Sequence, residues 1–148
     1  MTSDLPTDPD ATATIDARRP ALREAPDEPF LSPAGTIDNL KHGGVTGSVS
    51  VLYCKPGSVR ARHFHREDSH TLYVVSGEVE YFERPLGSTE CPEPQHFYER
   101  EMFHTPPLVE HAMRFPEGAI LVSMSSRSRT HEEHEADVVR VAFKLPGE

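Results

Sequence analysis

Three histidines fall within the eight residues 63–70, whose sequence is HFHREDSH. Successive side chains of a strand point to opposite faces, so His63 and His65 project to the same side if this segment is extended. The link REDS is short enough to bring His70, at the start of the next strand, back beside that pair. A fourth histidine, His111, begins another strand-like segment after TPPLVE. Neutral imidazoles bind zinc, copper, iron, nickel and manganese, so the cluster is a candidate site for one divalent transition metal ion.

The spacing alone leaves a second interpretation open. The chain contains nine histidines, and alternating pairs arise by chance in a histidine-rich chain, so the cluster is also compatible with a polar patch. Two further histidines, His131 and His134, lie among acidic residues in THEEHEAD, at 130–137. We expect that segment to be one helical turn or a charged loop on the solvated surface.

The elements that must position these residues are predicted to be strands. From about residue 36 onward, short segments rich in β-branched and aromatic residues alternate with turn signals such as KPGS, SGE, RPLGS and FPEG. No segment has the apolar period of a long helix, so the pattern predicts an all-β sandwich or barrel, with a double-sheet jelly roll as the arrangement that uses about this many strands. The segments are VTGSVSVLYC, SVRARHFH, HTLYVVSG, EVEYFER, QHFYER, HAMRF, AILVSMS and DVVRVAF.

Composition sets the limits of the domain and of its partners. Residues 1–29 are rich in proline and charge and poor in large apolar side chains, which predicts a mostly disordered arm before a single domain at 30–148. The net charge of −9 argues against nucleic acid as a partner. The sequence has neither a long apolar run nor a secretory signal, and Cys54 and Cys91 lack metal-site spacing. We therefore expect no membrane association, reduced thiols and a cytoplasmic location.

The histidine motif resembles that of the cupin superfamily. The family's first motif, Gly-x5-His-x-His followed by Glu and Gly, is similar to GSVRARHFHREDSHTLYVVSG, and the second is similar to PPLVEHAMRF. Three positions depart from the family pattern: His70 stands where the family usually has a metal-binding glutamate, Leu108 replaces a glycine and Phe115 an asparagine. The resemblance implies a double-stranded β-helix, the jelly-roll barrel of the cupins, following the disordered proline-rich arm.

The resemblance also implies a set of site residues. It predicts one Fe, Ni, Mn, Cu or Zn ion per chain, held by His63, His65, His70 and His111. Tyr81 and His104 are the predicted catalytic residues. By alternation Arg60 and Arg62 fall on the face opposite the ligands, on the surface or in a dimer interface. The side chains predicted to point into the barrel are Leu72, Val74, Val79, Tyr81, Met113 and Phe115.

Three functions remain open for such a site. A histidine-only ligand set suits a redox metal, so the leading expectation is a dioxygenase-type enzyme acting on a small oxygenated organic substrate. The first alternative is a metal-dependent isomerase, epimerase or lyase acting on a sugar-like or keto substrate. The second is a cupin that binds a metal or ligand without catalysis. By resemblance we also expect a homodimer formed near the N-terminus, around TIDNLKHGG at 36–44.

Overall fold

Strands dominate the computed structural model, which describes residues 22–24, 28, 30–33, 35–38, 40, 46–127 and 130–148. The all-β prediction is confirmed. The strands are β1 (Leu22–Glu24), β2 (Phe30–Ser32), β3 (Gly35–Ile37), β4 (Ser48–Cys54), β5 (Ser58–His65), β6 (His70–Pro85), β7 (Gln95–Tyr98), β8 (Met102–Thr105), β9 (Val109–Phe115), β10 (Ala119–Ser125) and β11 (Val138–Arg140). One helix, α1 (His131–Asp137), precedes β11.

Strand β6 connects the two walls of the barrel. Its first half pairs with β8 and β10, and its second half pairs with β7 and β9. Beyond β9 the sheet continues to β5 and β11, while β4 pairs with β10. All of these pairings are antiparallel. The β2–β3 pair forms a separate two-stranded sheet.

The turn predicted at SGE is a bend within β6. Gly77 has a φ of 87°, and a Cβ added there would lie 2.2 Å from the Gly118 carbonyl oxygen. Only glycine satisfies both conditions without displacing the neighbouring chain. The register between β10 and β6 shifts at the same level, between Ile120 and Leu121. HTLYVVSG and EVEYFER are therefore one bent strand, because the glycine redirects the chain without reversing it.

A bulge in β5 sets which side chains face the interior. Arg60 pairs with Met113, Ala61 with Ala112, and His63 with His111, so Arg62 has no register partner on β9. Ala61 and Arg62 both have positive φ angles, of 72° and 57°. This extra residue is the signature of a β-bulge, which breaks simple alternation.

The barrel core is apolar and lies against the histidine-bearing part of the interior. All of the side chains predicted to point inward are buried, and all belong to one apolar cluster that also contains Phe97, Phe103 and Leu121. This part of the sequence-based prediction is confirmed. No helix in the described residues is long and apolar enough to cross a membrane.

Two expectations remain largely outside the described residues. Of the arm at 1–29, only residues 22–24 and 28 are described, and 22–24 form β1, which pairs with β8. Of the segment 36–44, only 36–38 and 40 are described. The disordered arm and the homodimer therefore stay predictions.

Candidate functional site

Five imidazole rings meet inside the barrel. The His63 ring centroid lies 4.8 Å from that of His65 and 4.9 Å from that of His111, and the His70 centroid lies 4.9 Å from that of His65. His134, on α1, brings its ring to 5.8 Å from His65 and 6.2 Å from His63. Ring nitrogens of His63, His65 and His111 all lie within 4.8 Å of one another. The four histidines predicted as ligands are therefore together, and a fifth ring stands beside them.

Strand register explains this convergence. His63 and His111 are direct partners across β5 and β9, and Glu83 of β6 pairs with His111 on the other side. Side chains at paired positions share a face, so these three residues form one row across the inner wall. His70 begins β6 and pairs with Thr105.

Asp137 fixes the orientation of His65. The two residues are joined by a 2.9 Å hydrogen bond between His65 Nδ1 and Asp137 Oδ2. Burial raises the pKa of the Asp137 carboxyl, but hydrogen bonds from the Glu67 backbone N–H and from His65 lower it by more, so the net shift is downward. An ionised carboxylate only accepts hydrogen bonds, so His65 carries a proton on Nδ1, and in the neutral ring the lone pair is on Nε2.

That Nε2 atom is the clearest sign of a ligand site. His65 is fully buried, and within the described part of the chain no hydrogen-bond partner reaches its Nε2. A buried polar atom normally has a partner, and the carboxylate–histidine pair is the arrangement that orients metal-binding imidazoles. The residues therefore fit a metal ion.

His111 is oriented by its own strand. Its Nδ1 donates a 3.1 Å hydrogen bond to the Val109 carbonyl oxygen, and because a carbonyl only accepts, the proton must be on Nδ1. In the neutral form of each ring, the lone pair is therefore on Nε2, as a metal ligand requires.

A cavity of about 330 Å³ adjoins the cluster. Its walls include His63, His70, His111 and His134, together with apolar side chains such as Leu52, Leu72 and Met113. Arg60 and Arg140 complete the lining. The volume lies at the small end of the range for organic ligands, so the cavity suits a compact molecule or the reacting part of a larger one.

The face predicted for Arg60 is wrong, although its side chain is exposed, as expected. The bulge adds a residue between Arg60 and His63, so both lie on the same face of β5, opposite Met113 and His111. Arg62 does lie on the outer side, where it donates hydrogen bonds to the Phe143 carbonyl and to Glu148.

Tyr81 lies deeper than the histidines. Its hydroxyl donates to Glu83 Oε2 at 3.1 Å and lies 3.1 Å from Thr105 Oγ1. Burial, followed by the nearby charge of Glu83, raises the pKa of Tyr81 well above its ordinary value, so the phenol stays protonated. The ring lies roughly parallel to that of His111, with centroids 6.2 Å apart. Its predicted catalytic role stays a prediction.

His104 is not brought to the cluster. It pairs with Thr71, while the neighbouring Thr105 pairs with His70, so His104 and His70 belong to opposite faces of this part of the sheet. The His104 Nδ1 is 3.1 Å from Thr71 Oγ1. Its position therefore gives no support to the catalytic role expected for it.

The sequence interpretation missed the contribution of α1 to the site. A helical turn was one of the two expectations for 130–137, but on the solvated surface, whereas His134 lies beside His63 and His65, and Asp137 accepts a hydrogen bond from His65. Residues three apart on a helix share a face, so the spacing of His134 and Asp137 was the available signal. Their acidic neighbours, Glu132 and Glu133, are exposed. These charges favoured the interpretation of the whole segment as solvated surface.

Comparisons with known proteins support the fold. No family model and no curated protein matches the sequence. Solved structures do match: a variant of the 3,4-ketoisomerase QdtA from Thermoanaerobacterium thermosaccharolyticum has 14% identity and a TM-score of 0.61, covering 79% of this chain and 85% of that one. A 3,4-ketoisomerase from Helicobacter canadensis has 16% identity and a TM-score of 0.64, covering 78% and 87%. NovW, a 4-keto-6-deoxy sugar epimerase from Streptomyces spheroides, has 17% identity and a TM-score of 0.62, covering 87% and 82%.

These likenesses confirm the cupin-type jelly-roll fold. They contradict the expected dioxygenase, because the similar structures are those of sugar ketoisomerases and an epimerase. The physical reason for the error is that a histidine-only donor set does not specify redox chemistry. Such a donor set can equally hold an ion that acts only as a Lewis acid.

Proposed function

We propose that this protein is a metal-dependent isomerase or epimerase, which moves a proton on the carbon beside the carbonyl of a keto substrate. The observation that supports this most directly is the set of ring nitrogens of His63, His65 and His111 within 4.8 Å of one another, with His65 oriented by Asp137. His70 completes the proposed ligand set. When bound, a divalent ion supplies Lewis-acid stabilisation of the negative charge that develops on the carbonyl oxygen.

His134 is the residue we assign to proton movement. Its ring centroid lies 6.2 Å from that of His63 and 5.8 Å from that of His65, and it lines the cavity beside the cluster. It also lines a second cavity of about 430 Å³, together with Asp68 and Arg66. An imidazole that lines two cavities can take a proton from substrate in one and exchange it with water in the other.

The remaining residues exclude water and support the ligands. Leu72 and Met113 give the cavity an apolar wall, which strengthens electrostatic interactions with a bound carbonyl. The Tyr81 ring packs against that of His111, and its buried hydroxyl donates a hydrogen bond to Glu83. Asp137 also accepts the backbone N–H of Glu67, so it ties the end of β5 to α1.

Deuterium exchange tests the reaction directly. The protein, loaded with Zn²⁺ or Mn²⁺, is incubated in D₂O without air, and proton NMR follows the hydrogen beside the carbonyl. The panel includes simple keto sugars and TDP-4-keto-6-deoxyglucose, which one of the similar structures contains. We expect metal-dependent exchange with at least one compound. A metal-bound protein that exchanges none would instead be a binder, and equal exchange after metal removal would contradict the role of the ion.

Two variants separate the ligand from the proton carrier. His63→Ala should lose most of the bound metal, measured by elemental analysis, while its β-sheet circular dichroism is unchanged. His134→Gln should keep the metal and lose about 100-fold or more of the exchange rate. Glu132→Gln, an exposed change on the same helix, is the control and should retain both. Full metal retention in His63→Ala would contradict the proposed site.

A further inference from the structure

The β5 bulge places Arg60 on the same face of the sheet as the proposed metal ligands, where its exposed side chain lines the adjoining cavity. It lies opposite Met113, and His63 lies opposite His111. Met113 and His111 are two residues apart on β9, which separates their positions by about 7 Å along the strand. Arg60 and the histidines line the same cavity. The backbone position of Arg60 is therefore about one strand repeat away from that of His63.

Arg60 is also unusual in its partners. Most described arginines are ion-paired with a carboxylate: Arg62, Arg84, Arg100, Arg114, Arg127 and Arg140. Among the described residues, none provides a carboxylate partner for Arg60. Its Nη2 donates a long 3.5 Å hydrogen bond to the Tyr53 carbonyl, and its guanidinium also contacts the Cys54 thiol. The chain has a net charge of −9, so carboxylates are abundant. An arginine that lines a cavity without a carboxylate partner is therefore notable.

The other arginine of the cavity is already neutralised. Arg140 makes two hydrogen bonds to Glu135, at 2.9 and 2.8 Å, in the paired geometry typical of arginine and carboxylate. Of the two arginines that line this cavity, Arg60 is therefore the one that can bind an anionic ligand. Its planar fork matches the oxygens of a carboxylate or a phosphate.

We propose that Arg60 binds an anionic group of the substrate, a carboxylate or a phosphate, while the reacting carbonyl lies at the histidines. This inference rests on the proposed function and narrows its substrate class to keto compounds that carry an oxyanion a few atoms from the carbonyl. The 330 Å³ cavity holds the reacting part and its near substituents. A larger group attached beyond the anion remains outside it.

Hydroxamates test this with the metal-loaded protein. Acetohydroxamate chelates a divalent ion and carries no second anion, whereas phosphoglycolohydroxamate adds a phosphate and malonic acid monohydroxamate adds a carboxylate. Isothermal calorimetry on the zinc-loaded protein compares the three. We expect one or both anionic compounds to bind about 10- to 100-fold more tightly than acetohydroxamate, the range for a charge-assisted hydrogen bond. The stronger of the two identifies the anion.

The variants assign the preference to Arg60. Arg60→Met should reduce the preference to about threefold or less and leave acetohydroxamate binding unchanged, which also shows that the variant is folded. Lys55→Met removes the same charge from an exposed position outside this cavity and should keep the preference. Equal binding of charged and uncharged hydroxamates, or a preference that survives Arg60→Met, would overturn the proposal.

Failure of the metal site gives a different result. If no hydroxamate binds, the proposed metal centre is wrong, and glycerol 3-phosphate and propanoate, which carry a phosphate and a carboxylate without the chelating group, then test Arg60 alone. Binding of either that is lost in Arg60→Met supports the anion site. Absence of binding by both overturns it.

Discussion

Asp137 determines which nitrogen of His65 is presented to the cavity. The carboxylate holds the Nδ1 proton through a 2.9 Å hydrogen bond. Replacing it by Asn keeps the shape of the side chain but removes the charge that favours this tautomer. Changes of this kind beside a metal ligand typically cost 10- to 100-fold in metal affinity. We therefore expect Asp137→Asn to weaken Zn²⁺ binding by about that factor, measured by competition with a fluorescent chelator.

Glu132→Gln provides the matched control for this prediction. It makes the same carboxylate-to-amide change on the same helix, at an exposed position. Its zinc affinity should equal that of the unmodified protein. Equal affinity in Asp137→Asn would show that His65 needs no such support, or that it is not a ligand.

Tyr81 is the second residue whose replacement tests the structure. Its buried hydroxyl joins Glu83 and Thr105, and Tyr81→Phe leaves both without that partner. We expect the free energy of unfolding to fall by about 1–3 kcal/mol, measured by urea denaturation, with metal content unchanged. Tyr53→Phe makes the same change at a side chain that is 71% exposed and should shift stability by less than about 0.5 kcal/mol.

The same variant tests the catalytic role predicted for Tyr81. Under conditions where Tyr81→Phe is fully folded, a catalytic phenol would show as a slower deuterium exchange rate at saturating substrate. An unchanged rate would restrict Tyr81 to the packing behind His111.

Residue spacing predicted part of this site. His63 and His65 share a face as alternation requires, and His70 and His111 join them. Asp137 and His134 were missed because both come from a helix more than sixty residues further along the chain, in a segment dominated by exposed carboxylates. The pattern of residues in one segment does not show which distant segment packs beside it in the fold.

At the scale of elements, irregular backbone accounts for what alternation failed to predict. The bulge at Ala61 and Arg62 reverses the expected side of Arg60, and Gly77 turns two predicted strands into one. Neither feature is visible in hydrophobic periodicity, because one extra residue changes the face of everything beyond it.

The turn before β9 offers a test of backbone strain. Leu108 has a φ of 61°, and its side chain is 44% exposed. It stands at the position where the cupin motif, which this sequence resembles, has glycine. A non-glycine residue in this conformation costs roughly 1 kcal/mol or more. We expect Leu108→Gly to have a free energy of unfolding at least about 1 kcal/mol above that of Leu86→Gly, measured by urea denaturation.

Leu86 is the appropriate comparison for two reasons. It is also in a turn and 45% exposed, but its φ is not in the left-handed region. Glycine there only adds freedom to the unfolded chain and should destabilise. Equal effects of the two substitutions would mean that the turn at Leu108 carries no strain.

For the whole molecule, the strand pattern was sufficient to predict the architecture. Short apolar segments with period two and frequent turn residues predicted the barrel, and the buried cluster that includes Leu72, Val79 and Phe115 confirms the inward faces. The reaction was not predictable in this way, because isomerases and oxygenases can share both the barrel and the histidines. The homodimer remains a prediction that light scattering can check.

The outer side of the barrel provides a pH-dependent contact between distant parts of the chain. Arg62 on β5 donates hydrogen bonds to Glu148. This guanidinium, together with the Leu145 backbone N–H, lowers the pKa of Glu148 from 4.5 to about 2. Since the pKa is lower in the folded protein, the contact stabilises the fold fully above about pH 4.5, and this contribution is lost as the pH falls toward 2.

Glu148→Gln isolates that contribution. We expect the variant to unfold at a lower urea concentration than the unmodified protein at pH 7, with the difference shrinking below pH 4.5 and disappearing below about pH 2. Both proteins are compared without metal, so that titration of the histidines does not alter metal binding during the series. Because Glu148 is exposed, solvent and salt screen the pair, and 1 M NaCl should reduce the difference at pH 7. A difference that is the same at every pH would show that the amide change acts through packing, since only the ionised carboxylate gains from Arg62.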